Sequence, residues 1–316
     1  MAQGKLLFLD MPNFMTAARA VLIILFVILF WPSQGKGCTV LAIRSKDTVP
    51  YNHAITGFRS GFQGLELNLV IIDTTEEETE ISSILSKYRP DLILCLGTKA
   101  LKYALTVKKI PKIFCLVLHP EMYLSTDYLD VYGITIELPP LLQFRIIAQA
   151  FPRLKRIGVI YNPEFNQKYI EIAKESAKSV ALDLVTCSVR SVKEVPSALH
   201  HLEDKIDILW SILDNTAYGP ETARYVLLFA LRRDIPFVGF SPQFAKAGAL
   251  MAVYGDYEDM GRQSALLAKK VLLGNEESLV KILQPRKARI AINQKVARAL
   301  GITFTPEFLK IVDKVF

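Results

Sequence analysis

From residue 38 onward the chain alternates two kinds of pattern. Short runs that are apolar at nearly every position, 38–43 (CTVLAI), 66–73 (ELNLVIID), 91–97 (DLILCLG) and 112–118 (KIFCLVL), are separated by stretches in which apolar residues recur every three or four positions. The first kind predicts strands covered on both faces, the second amphipathic helices at 50–64, 75–88 and 98–107. In the first helix Ile55, Phe58 and Phe62 share a face. The second opens on acids and closes near Lys87, the charge order that a helix dipole favours.

The pattern restarts after 132–140 (YGITIELPP), where Pro139 and Pro140 stop a strand and start a helix. Strands are predicted at 156–162, 182–189, 206–214, 236–240 and 250–255, with helices at 141–151, 167–180, 192–204 and 219–234. The pattern predicts two α/β lobes of similar size, each a parallel sheet covered by helices, joined near Gly133–Pro140. In such sheets ligands sit beyond the carboxyl ends of the strands. The residues there are Ser45 and Asp47, Gly97 and Thr98, Leu118 and His119, Tyr161 and Asn162, Asp214, Asn215 and Thr216, Phe240, and Tyr254. Tyr51 and Tyr218 are further aromatic candidates for the wall of a site, and each polar residue has the alternative role of helix cap or turn former. Gly255 and Asp256 stand where a strand ends and a helix begins. The glycine gives backbone freedom for a hinge and the acid an N-cap.

The N-terminus is a different object. Lys5 and Arg19 precede the apolar run 20–31 (AVLIILFVILFW), which Pro32 closes. At a dozen residues it is short for a membrane span and fits the core of an export signal. The expectation for 1–37 is a signal peptide or a retained membrane anchor, with lipidation of Cys38 as a third possibility. Cys38, Cys95, Cys115 and Cys187 lack zinc-site spacing and are expected as free thiols.

The formal charge of +7 is spread along the chain, and its longest basic clusters are dipeptides, so no nucleic-acid surface is predicted. Neither a GxGxxG, a GxxxxGK[ST] nor a GxSxG motif occurs. His200 and His201 fall on a helix surface, His53 lies near the start of a helix, and His119 comes after a strand end as the one histidine placed like a site residue. A lone histidine is poor evidence for catalysis, so no catalytic residue, metal site or cofactor is expected.

Five stretches, taken in order, carry a resemblance: 50–62 (PYNHAITGFRSGF), 90–101 (PDLILCLGTKAL), 156–167 (RIGVIYNPEFNQ), 248–274 (GALMAVYGDYEDMGRQSALLAKKVLLG) and 292–309 (INQKVARALGITFTPEFL). They resemble the ABC-transporter substrate-binding protein family that includes the tryptophan- and tyrosine-type binding proteins of bacteria. The resemblance implies the type I periplasmic-binding-protein fold, two Rossmann-like lobes with parallel sheets joined by a three-crossing hinge. By analogy lobe 1 is 38–136 plus 257–282 and lobe 2 is 137–256 plus 283–316, with Gly133, Gly255 and Asp256 at the hinge. It implies an exported, monomeric protein that captures a small molecule between its lobes for ABC permease subunits. If that solute is an amino acid, Ser45, Gly97 and Thr98 are the expected donors to its carboxylate and Asp214 the partner of its ammonium. Tyr51, Tyr161, Tyr218, Phe240 and Tyr254 would wall its side chain. A membrane-anchored sensing domain and a two-lobed nucleotide-sugar enzyme are the alternatives.

Overall fold

The computed structural model describes residues 37–63, 66–74, 81–124, 130–275 and 280–316. The expected export segment at 1–36 lies outside them, as does the acidic start of the helix predicted from 75. Among the described residues no helix is long and apolar enough to cross a membrane.

The strands of the first half form one sheet. β1 (Cys38–Arg44), β2 (Leu67–Asp73), β3 (Leu92–Leu96), β4 (Lys112–Val117) and β5 (Val131–Thr135) are joined by β11 (Ile282–Leu283) in the order β11-β5-β4-β3-β1-β2, all parallel. Their apolar character has a simple cause, because both faces are covered. Val40 and Ala42 of β1 point into one core with Phe58, while Leu41 and Ile43 point into another with Leu101. The helices that supply these cores are α1 (Val49–Gly61), α2 (Ile81–Tyr88) and α3 (Thr98–Ala104).

The second sheet has seven strands in the order β13-β12-β10-β9-β8-β6-β7: β6 (Arg156–Tyr161), β7 (Asp183–Ser188), β8 (Ile208–Trp210), β9 (Phe237–Gly239), β10 (Met251–Gly255), β12 (Ala288–Ile292) and β13 (Lys314–Val315). It departs from an all-parallel sheet at β12, which runs antiparallel to β10. Around it lie α4 (Pro140–Ala150), α5 (Pro163–Ser179), α6 (Val195–Leu202), α7 (Asn215–Tyr218), α8 (Ala223–Arg232) and α9 (Pro242–Ala247). β8 is shorter than its apolar run. Beyond Trp210 the chain turns, and Tyr218 closes the gap by accepting a hydrogen bond from the Ile160 amide and donating one to the Trp210 carbonyl.

The chain passes between the sheets three times: at 136–139, at Asp256, and at 284–287. The second passage leads directly into α10 (Tyr257–Leu272), which packs on the first sheet and on α1. Asp256 caps α10 by accepting from the Asp259 amide and pairs with Arg289 at 2.9 Å. Asp259 holds Arg286 of the third passage through two bonds, at 2.8 and 3.0 Å. The second and third passages are thus stapled together by charge. The first is held by its Leu138 carbonyl, which accepts from Tyr169 and Gln143, while Gln143 in turn accepts from Trp210.

One expectation about a hinge glycine is corrected. Gly133 is an interior residue of β5, paired with Phe114 and Ile282, and lacks a side chain because one would strike the Phe114 carbonyl. Gly255 ends β10 in register with Ala288, and its Cβ would press on the Met260 sulfur. The expected lobe boundary between 282 and 283 falls inside β11, where Leu283 pairs with Ile134.

The glycines that matter most for packing lie between α1 and α10. A methyl group at Gly57 would collide with the Glu258 carbonyl, at Gly61 with Ala265, and at Gly261 with the Ala54 carbonyl. The two helix backbones therefore touch directly, which fixes the helix that leaves the hinge. Gly261→Val should lower the free energy of unfolding by about 3 kcal/mol in chemical denaturation, because backbone cannot move aside. Leu273→Ser, at an exposed position beyond the end of α10, should change it by less than about 0.5 kcal/mol.

Candidate functional site

The carboxyl ends of the two sheets bound a cleft with two cavities that share Leu213. The outer one, of about 250 Å³, lies between Thr98, Leu118 and His119 of the first half and Asn166, Asp214, Asn215 and Thr216 of the second. Met122 and Phe165, 55% and 42% exposed, supply apolar wall on opposite sides. The inner one, of about 110 Å³, lies against the first two passages between the sheets. Ile136, Glu137 and Leu138 line it with Tyr169, Phe240, Tyr254 and Tyr257.

Backbone irregularity aims the first half's residues. The register of β4 shifts between Cys115 and Val117, and Leu116 takes φ +60° while fully packed. His119 itself sits at φ +47°. Two non-glycine residues in the left-handed region within four positions are costly, and bulges of this kind re-aim the side chains beyond them. Here they deliver His119 to the cleft. Its Nδ1 lies 3.5 Å from Glu121 and 3.8 Å from Glu137. Burial works against its charged form, but the hydrogen bond to Glu121 and the charges of Glu137, Glu121 and Asp214 outweigh that, so its pKa is raised. Burial pushes the Glu137 carboxyl up to about 7, with His119 opposing and Glu121 adding to the rise.

Asp214 has the opposite environment. Oδ2 accepts from the Asn162 amide at 2.6 Å and from Asn166 Nδ2 at 2.8 Å, and Oδ1 accepts from the amides of Thr216 and Ala217, both at 2.9 Å. A carboxylate has about four acceptor positions, and all are filled. Asp214 therefore caps α7 and ties it to β6 and α5, and has no position left for a ligand ammonium, contrary to the expectation from sequence. Because Asp214 is acceptor-only, it also fixes the Asn166 amide with its oxygen away from the carboxylate.

Among the described residues, three buried side-chain atoms have no hydrogen-bond partner: His119 Nε2, Glu137 Oε1 and Asn166 Oδ1. All three residues line these cavities. Each such atom costs about 1–3 kcal/mol unless something pairs it. The arrangement offers an imidazole nitrogen that donates when His119 is protonated, an acceptor that titrates near neutrality, and a neutral acceptor between apolar walls. Among the described residues no cluster has the make-up of a metal site.

The structure distributes the other predicted residues unevenly. Thr98, Leu118, His119, Asn215 and Thr216 come together in the outer cavity, Phe240 and Tyr254 in the inner one. Asn162 caps α5 and donates to Thr216. Ser45 accepts from the Ala100 amide and bonds Tyr51, beside Gly97 at φ +87°, so these three build the turn into α3 and line neither cavity. Asp47 is held on the surface by Arg44 and Asn52. Tyr161 and Tyr218 belong to the second sheet's core and are not cleft walls. His53 borders a third cavity, of about 460 Å³, with Asp256 and Arg289, and this cavity shares Tyr254, Gly255 and Tyr257 with the inner one. Sequence reasoning missed Glu137, Asn166, Met122 and Phe165. A lone carboxylate between Ile136 and Leu138 was the available signal for Glu137.

The raised Glu137 pKa has a stability consequence. The unfolded chain ionises this group near 4.5 and the folded chain near 7, so its contribution is lost as pH rises between those values. Relative to the wild type, Glu137→Gln should gain about 3 kcal/mol of unfolding free energy as pH is raised from about 4.5 to above 7. Denaturant titrations across that range check this, and a flat difference would contradict it.

Comparison with known proteins gives a consistent picture of the chain as a whole. The family described as ABC transporter substrate binding protein matches residues 72–316. Among curated proteins no sequence matches the chain. Of the solved structures, an ABC domain in complex with L-Trp from Streptococcus pneumoniae is 21% identical, with a TM-score of 0.60 over 89% of this chain and 100% of that one. The ligand-free, open structure of a substrate binding protein with adhesive properties from Clostridium difficile is 23% identical, with a TM-score of 0.67 over 88% and 99%. A periplasmic ribose ABC transporter protein from Conexibacter woesei is 14% identical, with a TM-score of 0.54 over 86% and 97%.

Proposed function

The chain belongs to the family of ABC transporter substrate binding proteins, and from that premise we propose that it captures a small polar solute between its two lobes for an ABC importer. It is a binding protein and not an enzyme, and the family works outside the cytoplasm. The observation that carries the reading is the set of unpaired buried atoms on His119, Glu137 and Asn166, which converge on one cleft from both halves of the chain. A solute reaching from one half to the other gains its full set of contacts only when the lobes close. Its differential affinity for the closed form then drives the hinge.

The chemistry of the cleft supports an amino acid as the solute class. Thr98 and His119, whose neighbours favour its charged form, suit a carboxylate, and Met122, Phe165 and Leu213 suit an apolar or aromatic side chain. At about 250 Å³ the outer cavity is below the range of drug-sized sites, which fits a small solute. Export through the apolar run at 20–31, action as a monomer, and delivery to permease subunits in the membrane belong to the same reading.

Native mass spectrometry of the purified full chain tests it. A stoichiometric small molecule should be released on gentle denaturation, and adding it back at a hundredfold excess over its Kd should stabilise the chain by about 2.7 kcal/mol. His119→Ala should weaken that binding at least about tenfold. An empty chain whose melting temperature is unmoved by amino acids, sugars, purines and short peptides would overturn the reading.

A further inference from the structure

We propose that the inner cavity is a subsite for a protonated amine, with the Glu137 carboxylate as its counter-ion and the rings of Tyr169, Phe240, Tyr254 and Tyr257 as its walls. This deepens the reading above and rests on it, since it names the group by which the solute is held.

No lysine, arginine or histidine lines the chamber; His119 approaches Glu137 from the outer cavity, at 3.8 Å from Oε2, and leaves Oε1 open. Its other buried polar side chains are already engaged. The Gln143 amide nitrogen donates to Tyr169 and the Leu138 carbonyl, its oxygen accepts from Trp210, and the Tyr169 hydroxyl donates to Leu138. Glu137 Oε1 is the one buried side-chain atom of this lining without a partner. A single open acceptor within an aromatic and aliphatic chamber matches a cation that also benefits from the negative faces of the rings. The chamber's 110 Å³ admits an amine and a few carbons, while the remainder of the solute extends past His119 into the outer cavity.

The electrostatics give the subsite a signature. The groups facing Glu137 are His119 and Glu121 from the loop after β4 and Tyr169 from α5, and Asp214 in turn acts on His119. With its pKa near 7 the Glu137 carboxyl is partly protonated in neutral solution. An ammonium placed against it favours the ionised form, so amine binding expels a proton wherever the carboxyl was protonated beforehand. Glu137 also sits next to Leu138, whose carbonyl is clamped by Tyr169 and Gln143, so an amine held here contacts the first passage of the hinge itself.

The test uses three probes of one size on the full chain: benzylammonium, neutral benzyl alcohol, and benzoate. Calorimetry in buffers of different ionisation heat should show benzylammonium binding at least about tenfold more tightly than benzyl alcohol, with benzoate weakest. Proton release on binding should be evident near about pH 6 and vanish near about pH 8. In Glu137→Gln both the preference for the charged probe and the proton release should disappear. Equal binding of benzylammonium and benzyl alcohol, or a preference that survives in Glu137→Gln, overturns the amine subsite and leaves the cleft reading standing. A co-purified solute without a basic nitrogen does the same. Binding of none of the three probes overturns the subsite, and if the chain is also empty in native mass spectrometry the cleft reading falls with it.

Discussion

A carboxylate taken out of water has to be paired, and this protein treats two of them in opposite ways. Asp214 is saturated by four donors from its own lobe, and the cleft edge of that lobe is organised around it: the starts of α5 and α7, and the end of β6, all terminate on its two oxygens. Glu137 is left with an open oxygen and a pKa near 7. Removing water from a carboxylate without supplying donors costs several kcal/mol, which the folded chain limits by holding the proton. A solute that completes this site relieves that cost, so the same term that burdens the empty protein favours the loaded one.

The position of Glu137 joins recognition to movement. It lies in the first passage between the sheets, one residue before the Leu138 carbonyl that the second lobe clamps. The other two passages are bound to each other through Asp256, Asp259, Arg286 and Arg289 and act as one element. α10 carries that element into the first lobe through direct backbone contact with α1 at Gly57 and Gly261. Contacts made at Glu137 and His119 are therefore made on the hinge and on the first lobe at once.

Much of this architecture was legible from the chain. Continuous apolar strands spaced by amphipathic helices specify sheets covered on both faces, and some of the strand ends, those before Thr98, His119 and Phe240, lead to the cleft. The failures have a common physical cause. Whether a residue at a strand end reaches the cleft depends on partners distant in sequence. Asp214 finds Asn162 and Asn166, Tyr218 finds Ile160, and Asp47 finds Arg44 and Asn52. Gly133 has the composition of a hinge and the environment of a strand, because Phe114 lies where its side chain would be. Glu137 and Asn166 were overlooked for the converse reason, since a single polar residue in an apolar run announces a site only when its missing partner is known. The bulge at Leu116 leaves no trace in an unbroken apolar segment.

The measurement that decides the matter is a crystal structure of the full chain with the solute that co-purifies with it. Solute atoms should lie within hydrogen-bonding distance of His119 Nε2, Glu137 Oε1 and Asn166 Oδ1, with a nitrogen at Glu137. A solute bound instead in the cavity beside His53 and Arg289, with those three atoms still unpaired, would contradict this.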